Sequence, residues 1–217
     1  MQNGNDQAPF DASSPQGKPG CTFCQRSEIT DILKETSHFF LAADHAPLVE
    51  GHLLIIPRQH YACYGDVPAD LDEELFALKD ELRRFYEQFY APVVFLEHGV
   101  FRQTVFHAHL HCFPWGNLDY DITSNIHNAV VAQQEDIRDW YHARGHYFYL
   151  EDGEVALLFA PEMDRYMHII QKVFQKGLAA RGVPTRIRPA QQRYAEGRPM
   201  IEAARENWQA FQQQEVK

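Results

Sequence analysis

The chain is predicted to adopt an α+β fold, and three observations lead there. Short apolar, strand-like runs recur at 52–56, 93–97 and 104–113. A twenty-residue stretch between the first two carries a single apolar stripe at helical spacing. Later, two apolar runs flank Glu151-Asp152-Gly153-Glu154, a hairpin signal. Strands with intervening helices favour an antiparallel sheet with flanking helices.

Taken in order, residues 1–19 form a tail rich in Gly, Pro, Ser, Gln and Asn, a composition too polar to order itself. No basic start followed by an apolar stretch appears there, so no secretory signal is expected. Residues 28–34 read as a short strand and 39–41 lead into the next; 44–51 is a loop by its Pro and Gly. His52-Leu53-Leu54-Ile55-Ile56 is a buried-strand pattern ended by Pro57. The helix is expected over 70–89, with Asp70 as its cap and Leu71, Leu75, Leu78, Leu82, Phe85 and Phe89 as its stripe. That stripe suits a sheet face or the same helix of a second copy. Strands are expected at 93–97 and 104–113, a helix at 125–141, the hairpin at 146–160, and a helix at 163–181 stopped by Gly182 and Pro184. From 191 the chain is polar and helix-prone. The domain plan is thus a tail (1–19), a central domain (20–118) and a C-terminal hairpin-helix extension (119–217).

Composition narrows the function. With 20 Lys and Arg against 30 Asp and Glu, the formal net charge of -10 opposes an extended nucleic-acid surface but allows a small phosphate pocket. No apolar run is long enough to span a membrane, and a cytoplasmic location is expected. Four cysteines are too few for a disulfide framework; Cys21 and Cys24 form a C-x2-C pair suited to metal or redox chemistry.

The chemistry centres on Val105-Phe106-His107-Ala108-His109-Leu110-His111-Cys112-Phe113. In a strand, alternate residues share a face, which puts His107, His109 and His111 on one side and Phe106, Ala108, Leu110 and Cys112 on the other. Solvent-facing strand positions rarely carry His three times running. Two readings follow: a three-histidine metal site, or a phosphate site in which a histidine attacks phosphorus while its neighbours donate hydrogen bonds.

His107-Ala108-His109-Leu110-His111-Cys112-Phe113 resembles the His-φ-His-φ-His-φ-φ signature of the histidine-triad superfamily. Cys21-Thr22-Phe23-Cys24, Gly51-His52-Leu53-Leu54-Ile55-Ile56-Pro57-Arg58-Gln59-His60 and Gln103-Thr104-Val105 are similar to the blocks that accompany it, in the same order, over residues 21–115. The resemblance implies a nucleotide hydrolase, with nucleotidyl transfer and a non-catalytic nucleotide sensor as alternatives. It makes His109 the nucleophile that forms a covalent nucleotidyl intermediate, His111 a ligand of phosphate oxygens that helps protonate the leaving group, and Gln103 a contact to the α-phosphate. Asp44 would hold the ribose, and His52 and His98 would belong to the nucleotide pocket. Cys21, Cys24, His60 and His107 would hold a structural Zn2+, a closed Cys2His2 set with no position left for substrate. A homodimer through the 70–89 helix is also implied. Two features depart from the pattern. Glu97-His98-Gly99 places a carboxylate where phosphates are expected, with Arg102 as the residue that would neutralise it. The extension supplies Arg144, Arg165, Arg186 and Arg188 as candidate contacts to a leaving group. His111, rather than Gln, at the third position favours hydrolysis.

Overall fold

A computed structural model describes residues 18–116 and 128–215. Eight strands form one antiparallel sheet in the order β1-β2-β3-β5-β4-β7-β8-β6. They are β1 (Ile32–Glu35), β2 (Phe39–Ala43), β3 (Leu53–Pro57), β4 (Val94–Glu97), β5 (Leu110–Phe113), β6 (Asn128–Val130), β7 (Phe148–Asp152) and β8 (Val155–Phe159). Because β7 pairs directly with β4, in register from Val94↔Asp152 to Glu97↔Tyr149, the extension continues the sheet of the central segment.

The helices are α1 (Asp72–Phe89), α2 (Gln134–Arg144), α3 (Met163–Ile169), α4 (Gln175–Ala180), α5 (Ala190–Glu196) and α6 (Arg198–Glu215); a π turn, Ile170–Phe174, joins α3 to α4. One sheet face packs on α1, α2 and α6, with Phe39, Leu41, Leu53, Ile55, Phe95, Leu110 and Cys112 turned toward them. The opposite face packs through Val94, Leu96, Phe113 and Phe148 on the α3–α4 run. The N-terminal segment around Phe23 and Ile29 covers Phe40, Ala42, Leu54 and Ile56 on that face.

Several expectations are corrected. Only 110–113 of the 104–113 run is regular strand, and the segment before it turns away, so Phe106 is 57% exposed instead of joining the core. The expected 125–141 helix is divided: β6 holds 128–130, α2 begins at Gln134, and 125–127 lie outside the described residues. Asp136 sets that start by accepting from the N–H groups of Ala132 and Gln133. Asp70 does not cap α1; it lies in a 3-10 turn, Ala69–Leu71, and the dipole is met instead by Asp72, Glu73 and Glu74 in the first turn. The tail expected over 1–19 falls almost wholly outside the described residues.

The α1 stripe is covered within the chain. Leu75, Leu78, Leu82 and Phe85 are buried, and Phe85 meets Trp208 and Phe211 of α6 at ring distances of 5.1 and 5.6 Å.

Candidate active site and candidate metal centre

The first triad histidine points away from the other two. A 3-10 turn, Thr22–Cys24, brings the two cysteines together. His107 Nδ1 lies 3.5 Å from the sulfurs of both Cys21 and Cys24, and His60 Nδ1 lies 3.2 Å from Cys24 Sγ. One ligand atom from each of the four falls within 4.8 Å of the others. His107 Nε2–H donates to the Pro57 carbonyl at 2.7 Å, which leaves Nδ1 with a lone pair aimed at the sulfurs. Burial holds His107 down at about 4, so the ring is neutral and suited to ligate. Burial and the adjoining Cys21 thiol raise Cys24 to about 11, a proton that a soft cation would displace. The donor set, spacing and tautomer fit a tetrahedral Cys2His2 ion. A site built from all three triad histidines has no support: among the described residues His107 groups with the cysteines and His60, while His111 groups with Asp44 and His52.

His109 and His111 face a cavity of about 830 Å³ on the α3–α4 side of the sheet. His111 sits in β5 opposite Leu54 of β3 and Leu96 of β4, so strand alternation turns it to that side. His109, 5% exposed, donates from Nδ1–H to the His107 carbonyl at 2.7 Å. Its Nε2 therefore carries the lone pair. The two rings are 4.9 Å apart, and Phe23 packs edge-on against His109 at 5.4 Å.

Donor bookkeeping fixes the next two histidines. The Leu48 N–H can only donate, and it meets His52 Nδ1 at 3.3 Å. The His52 proton is then on Nε2, which donates to His111 Nδ1 at 3.0 Å. His111 is left with an Nε2–H. Burial takes His52 down to about 4 and His111 well below the usual histidine range, so both are neutral at pH 7.

Asp44 lies 3.6 Å from His52 Nε2 and accepts the Ala46 N–H at 2.7 Å. Burial works to raise its carboxyl; His52 beside it, that N–H, His45 and the Arg193 guanidinium outweigh burial and bring the acid below its usual range. Gln103 lines the cavity with Nε2 donating to the Ala62 carbonyl at 3.1 Å, which leaves a second N–H for a ligand. His98 sits on the far side of His111 from Asp44, 5.8 Å from His111 and 5.7 Å from Tyr166 by ring centroids. Its Nδ1–H donates to the Phe101 carbonyl.

Glu97 is not beside the cavity. It pairs with Tyr149 and faces α1, the opposite side of the sheet from His111, where it is 1% exposed. It accepts the Tyr64 N–H at 2.8 Å and the Tyr147 hydroxyl. Burial raises its carboxyl to about 8 against the pull of those two donors. The predicted repulsion of phosphates is thereby removed, and the acid instead anchors the 61–66 loop.

The candidate arginines of the extension are engaged elsewhere: Arg144 stacks on Trp140, Arg165 pairs with Glu162 and Arg188 pairs with Glu196. None of these, nor Arg186, lines the cavity. The cations that do are Arg102 and Arg193. Arg193 reaches the Ala46 carbonyl from α5 and Tyr194 packs near His45 on that side, while Tyr166 lines the other end beside His98 and Arg102. Nothing in the spacing of 163–194 marks these three; the extension had to be folded onto the site to bring them in.

The family described as proteins similar to the CwfJ C-terminal region matches residues 13–128. Adenosine 5'-monophosphoramidase HNT1 of Saccharomyces cerevisiae is 28% identical over 131 residues, covering 53% of this chain and 83% of the yeast protein. An uncharacterized HIT-like protein of Saccharolobus solfataricus is 26% identical over 135 residues, covering 56% and 89%. Among solved structures, a HIT family hydrolase from Clostridium thermocellum is 25% identical, covering 48% of this chain and 98% of that one, with a TM-score of 0.41. A Zn-bound histidine triad family protein from Mycobacterium smegmatis is 23% identical, covering 57% and 91%, with a TM-score of 0.40.

Proposed function

The chain belongs to the histidine-triad superfamily, in the family of proteins similar to the CwfJ C-terminal region, and from that premise we propose that it is a nucleotide hydrolase whose nucleophile is Nε2 of His109. The observation that carries the reading is the bond from His109 Nδ1–H to the His107 carbonyl, which leaves a buried Nε2 lone pair at the cavity beside a second histidine. The similarity to a yeast phosphoramidase supports cleavage at the α-phosphorus of a nucleotide conjugate.

Nε2 of His109 bonds to the α-phosphorus as the bond from phosphorus to the leaving group breaks, and that electron pair departs with the leaving group. His111 Nε2–H and the free Gln103 N–H donate to the charge that develops on the phosphoryl oxygens. Water then bonds to phosphorus while the N–P bond breaks. Its pair returns to Nε2, and the water's protons pass to the product phosphate and solvent. Asp44, ionised and next to His52, accepts from the ribose hydroxyls. His52 sets the tautomer of His111, and His98 takes a place on the leaving-group side.

Cys21, Cys24, His60 and His107 hold a structural zinc in this reading. When bound, the ion would supply a rigid cross-link between the N-terminal turn and the segment that leads through His109 into β5, and would take no part in the chemistry. A homodimer through α1 would have to use a surface of that helix other than the stripe, which α6 and the sheet bury. Among the described residues no helix is long and apolar enough to cross a membrane.

The test is release of nucleoside monophosphate from a panel of dinucleoside polyphosphates, nucleoside phosphoramidates and nucleotide sugars. Wild type is expected to release it and His109→Ala is not, with folding and zinc content retained in both. Nucleotide binding without product from wild type would favour a sensor instead.

A further inference from the structure

The cavity extends past His111 in the direction opposite to Asp44. The sequence of contacts is Asp44 to His52 at 3.6 Å, His52 to His111 at 3.0 Å, His111 to His98 at 5.8 Å and His98 to Tyr166 at 5.7 Å. At the end of it the Arg102 guanidinium lies 5.7 Å from the Tyr166 ring centroid. Phe101 packs on the same ring at 5.7 Å.

The loop that presents Arg102 is held in an uncommon conformation. Val100 and Arg102 have φ of 76° and 56°, the left-handed region that a β-branched valine strongly disfavours. The extension holds it there. Val100 bridges to Tyr147, the Tyr147 N–H donates to the Gly99 carbonyl, and a Cβ on Gly99 would stand 2.5 Å from Tyr147. Backbone strain of this kind persists where the surroundings over-determine it, and it gathers at ligand sites.

Charge is distributed unequally along the cavity. Its lining carboxylates are Glu28, Asp31 and Asp44, all from the segment before β3, and Arg193 of α5 stands among them beside Asp44. At the other end the lining groups are Arg102, Gln103, His98 and Tyr166, with His98 neutral because burial holds it at about 4. Among the described residues no carboxylate lies within ion-pair distance of Arg102.

We propose that Arg102, held over Tyr166, is the specificity-determining contact for the leaving group, and that it selects leaving groups that carry a phosphate. The inference rests on the nucleotide-hydrolase reading. A guanidinium at the leaving-group end of the cavity favours a departing phosphate anion, through charge-assisted hydrogen bonds, and disfavours an ammonium. A leaving phosphate also departs without a proton, whereas an amine requires one, and His111 is a neutral donor with no acidic proton to give. Tyr166 adds a flat face on which an aromatic group beyond that phosphate stacks.

Calorimetric binding of AMP, ADP, GMP and GDP to wild type and Arg102→Ala tests this without turnover. With the nucleoside anchored at Asp44, the second phosphate of the diphosphate is expected to point toward Arg102. Wild type is expected to bind the diphosphate about tenfold more tightly than the monophosphate, the size of one charge-assisted hydrogen bond. In Arg102→Ala that ratio falls to about one, while the monophosphate affinity holds. Arg102→Gln, which keeps the stem, is expected to behave alike and serves if the alanine variant melts early. A diphosphate preference missing from wild type, or one that survives in both variants, overturns the inference and leaves the hydrolase reading standing. No binding of any nucleotide overturns both. Nucleotides that bind but are never cleaved count against the hydrolase reading alone, and the ratio still judges Arg102. In turnover, Arg102→Ala is expected to lose about tenfold more kcat/KM on diadenosine triphosphate than on adenosine 5'-phosphoramidate; equal losses contradict the selection.

Discussion

At the scale of single residues, the protonation of buried groups is the most readily tested part of the account. Glu97 has its folded pKa raised to about 8 from an ordinary 4.5. Between those values the unfolded chain is ionised there and the folded chain is not, so this group contributes stability below pH 4.5 that is lost as pH rises through 8. Glu97→Gln removes that dependence. Its melting temperature relative to wild type is expected to climb steadily from pH 5 to pH 8 in a thermal-melt series, and a constant offset would mean that Glu97 is ionised when folded. His52 has the opposite sign. With its folded pKa lowered to about 4 from 6.5, its contribution is present above 6.5 and lost as pH falls toward 4. The triad itself was legible in the sequence because period-2 spacing is visible without a fold, and Ala108, Leu110 and Cys112 are buried as that spacing requires. What the sequence could not show was the direction of each ring. His107 turns to the cysteines and Glu97 to the α1 face, and both depend on where the backbone leaves regular strand.

At the scale of elements, the 163–181 run reads as one helix, and its regularity conceals the π turn at Ile170–Phe174. That turn places Ile170 and Phe174 at the cavity. Register across it is constrained by Gly177, where a Cβ would stand 2.4 Å from the Trp115 ring. Gly177→Ala is therefore expected to destabilise by about 1–3 kcal/mol, despite the better helix propensity of alanine, since the buried indole has no room to move. Denaturant unfolding measures it; a stabilised variant would show that α4 is not seated on Trp115. Residues 128–130 read as helix in the sequence because three residues of strand carry too little pattern to outweigh the helix that follows, and their strand partner, β8, is distant in the chain. The candidate metal centre is likewise an assembly of elements. Cys24→Ser is expected to lose bound zinc, measured by elemental analysis, and to melt earlier than wild type; full zinc content in that variant would remove Cys24 from the ligand set.

For the whole molecule, the extension is the difference between a bare histidine-triad segment and this chain. It adds β7 to the outer edge of β4, lays α6 over α1, and brings Tyr166, Arg193 and Tyr194 to the cavity wall. Apolar surface that would otherwise call for a second copy is buried intramolecularly, with Trp208 and Phe211 at 3% and 1% exposure. Light scattering in solution is accordingly expected to give the mass of one chain, 25.2 kDa, at micromolar concentration; a stable dimer would require an interface elsewhere than the α1 stripe. Trp208→Ala is expected to cost about 3–5 kcal/mol. The long-range docking of 190–215 was not readable from composition, because polar, helix-prone sequence looks alike whether packed or fraying.

The central claim is that Nε2 of His109 attacks the α-phosphorus, and one experiment addresses it directly. Wild type and His109→Ala, each confirmed folded and loaded with zinc, are given the same nucleotide panel, quenched in the first turnovers, and examined by mass spectrometry for nucleoside monophosphate and for a nucleotidyl adduct on the protein. The account predicts monophosphate from wild type with an adduct at His109, and a loss of at least about three orders of magnitude in rate in the variant. Monophosphate released by His109→Ala at the wild-type rate would contradict it.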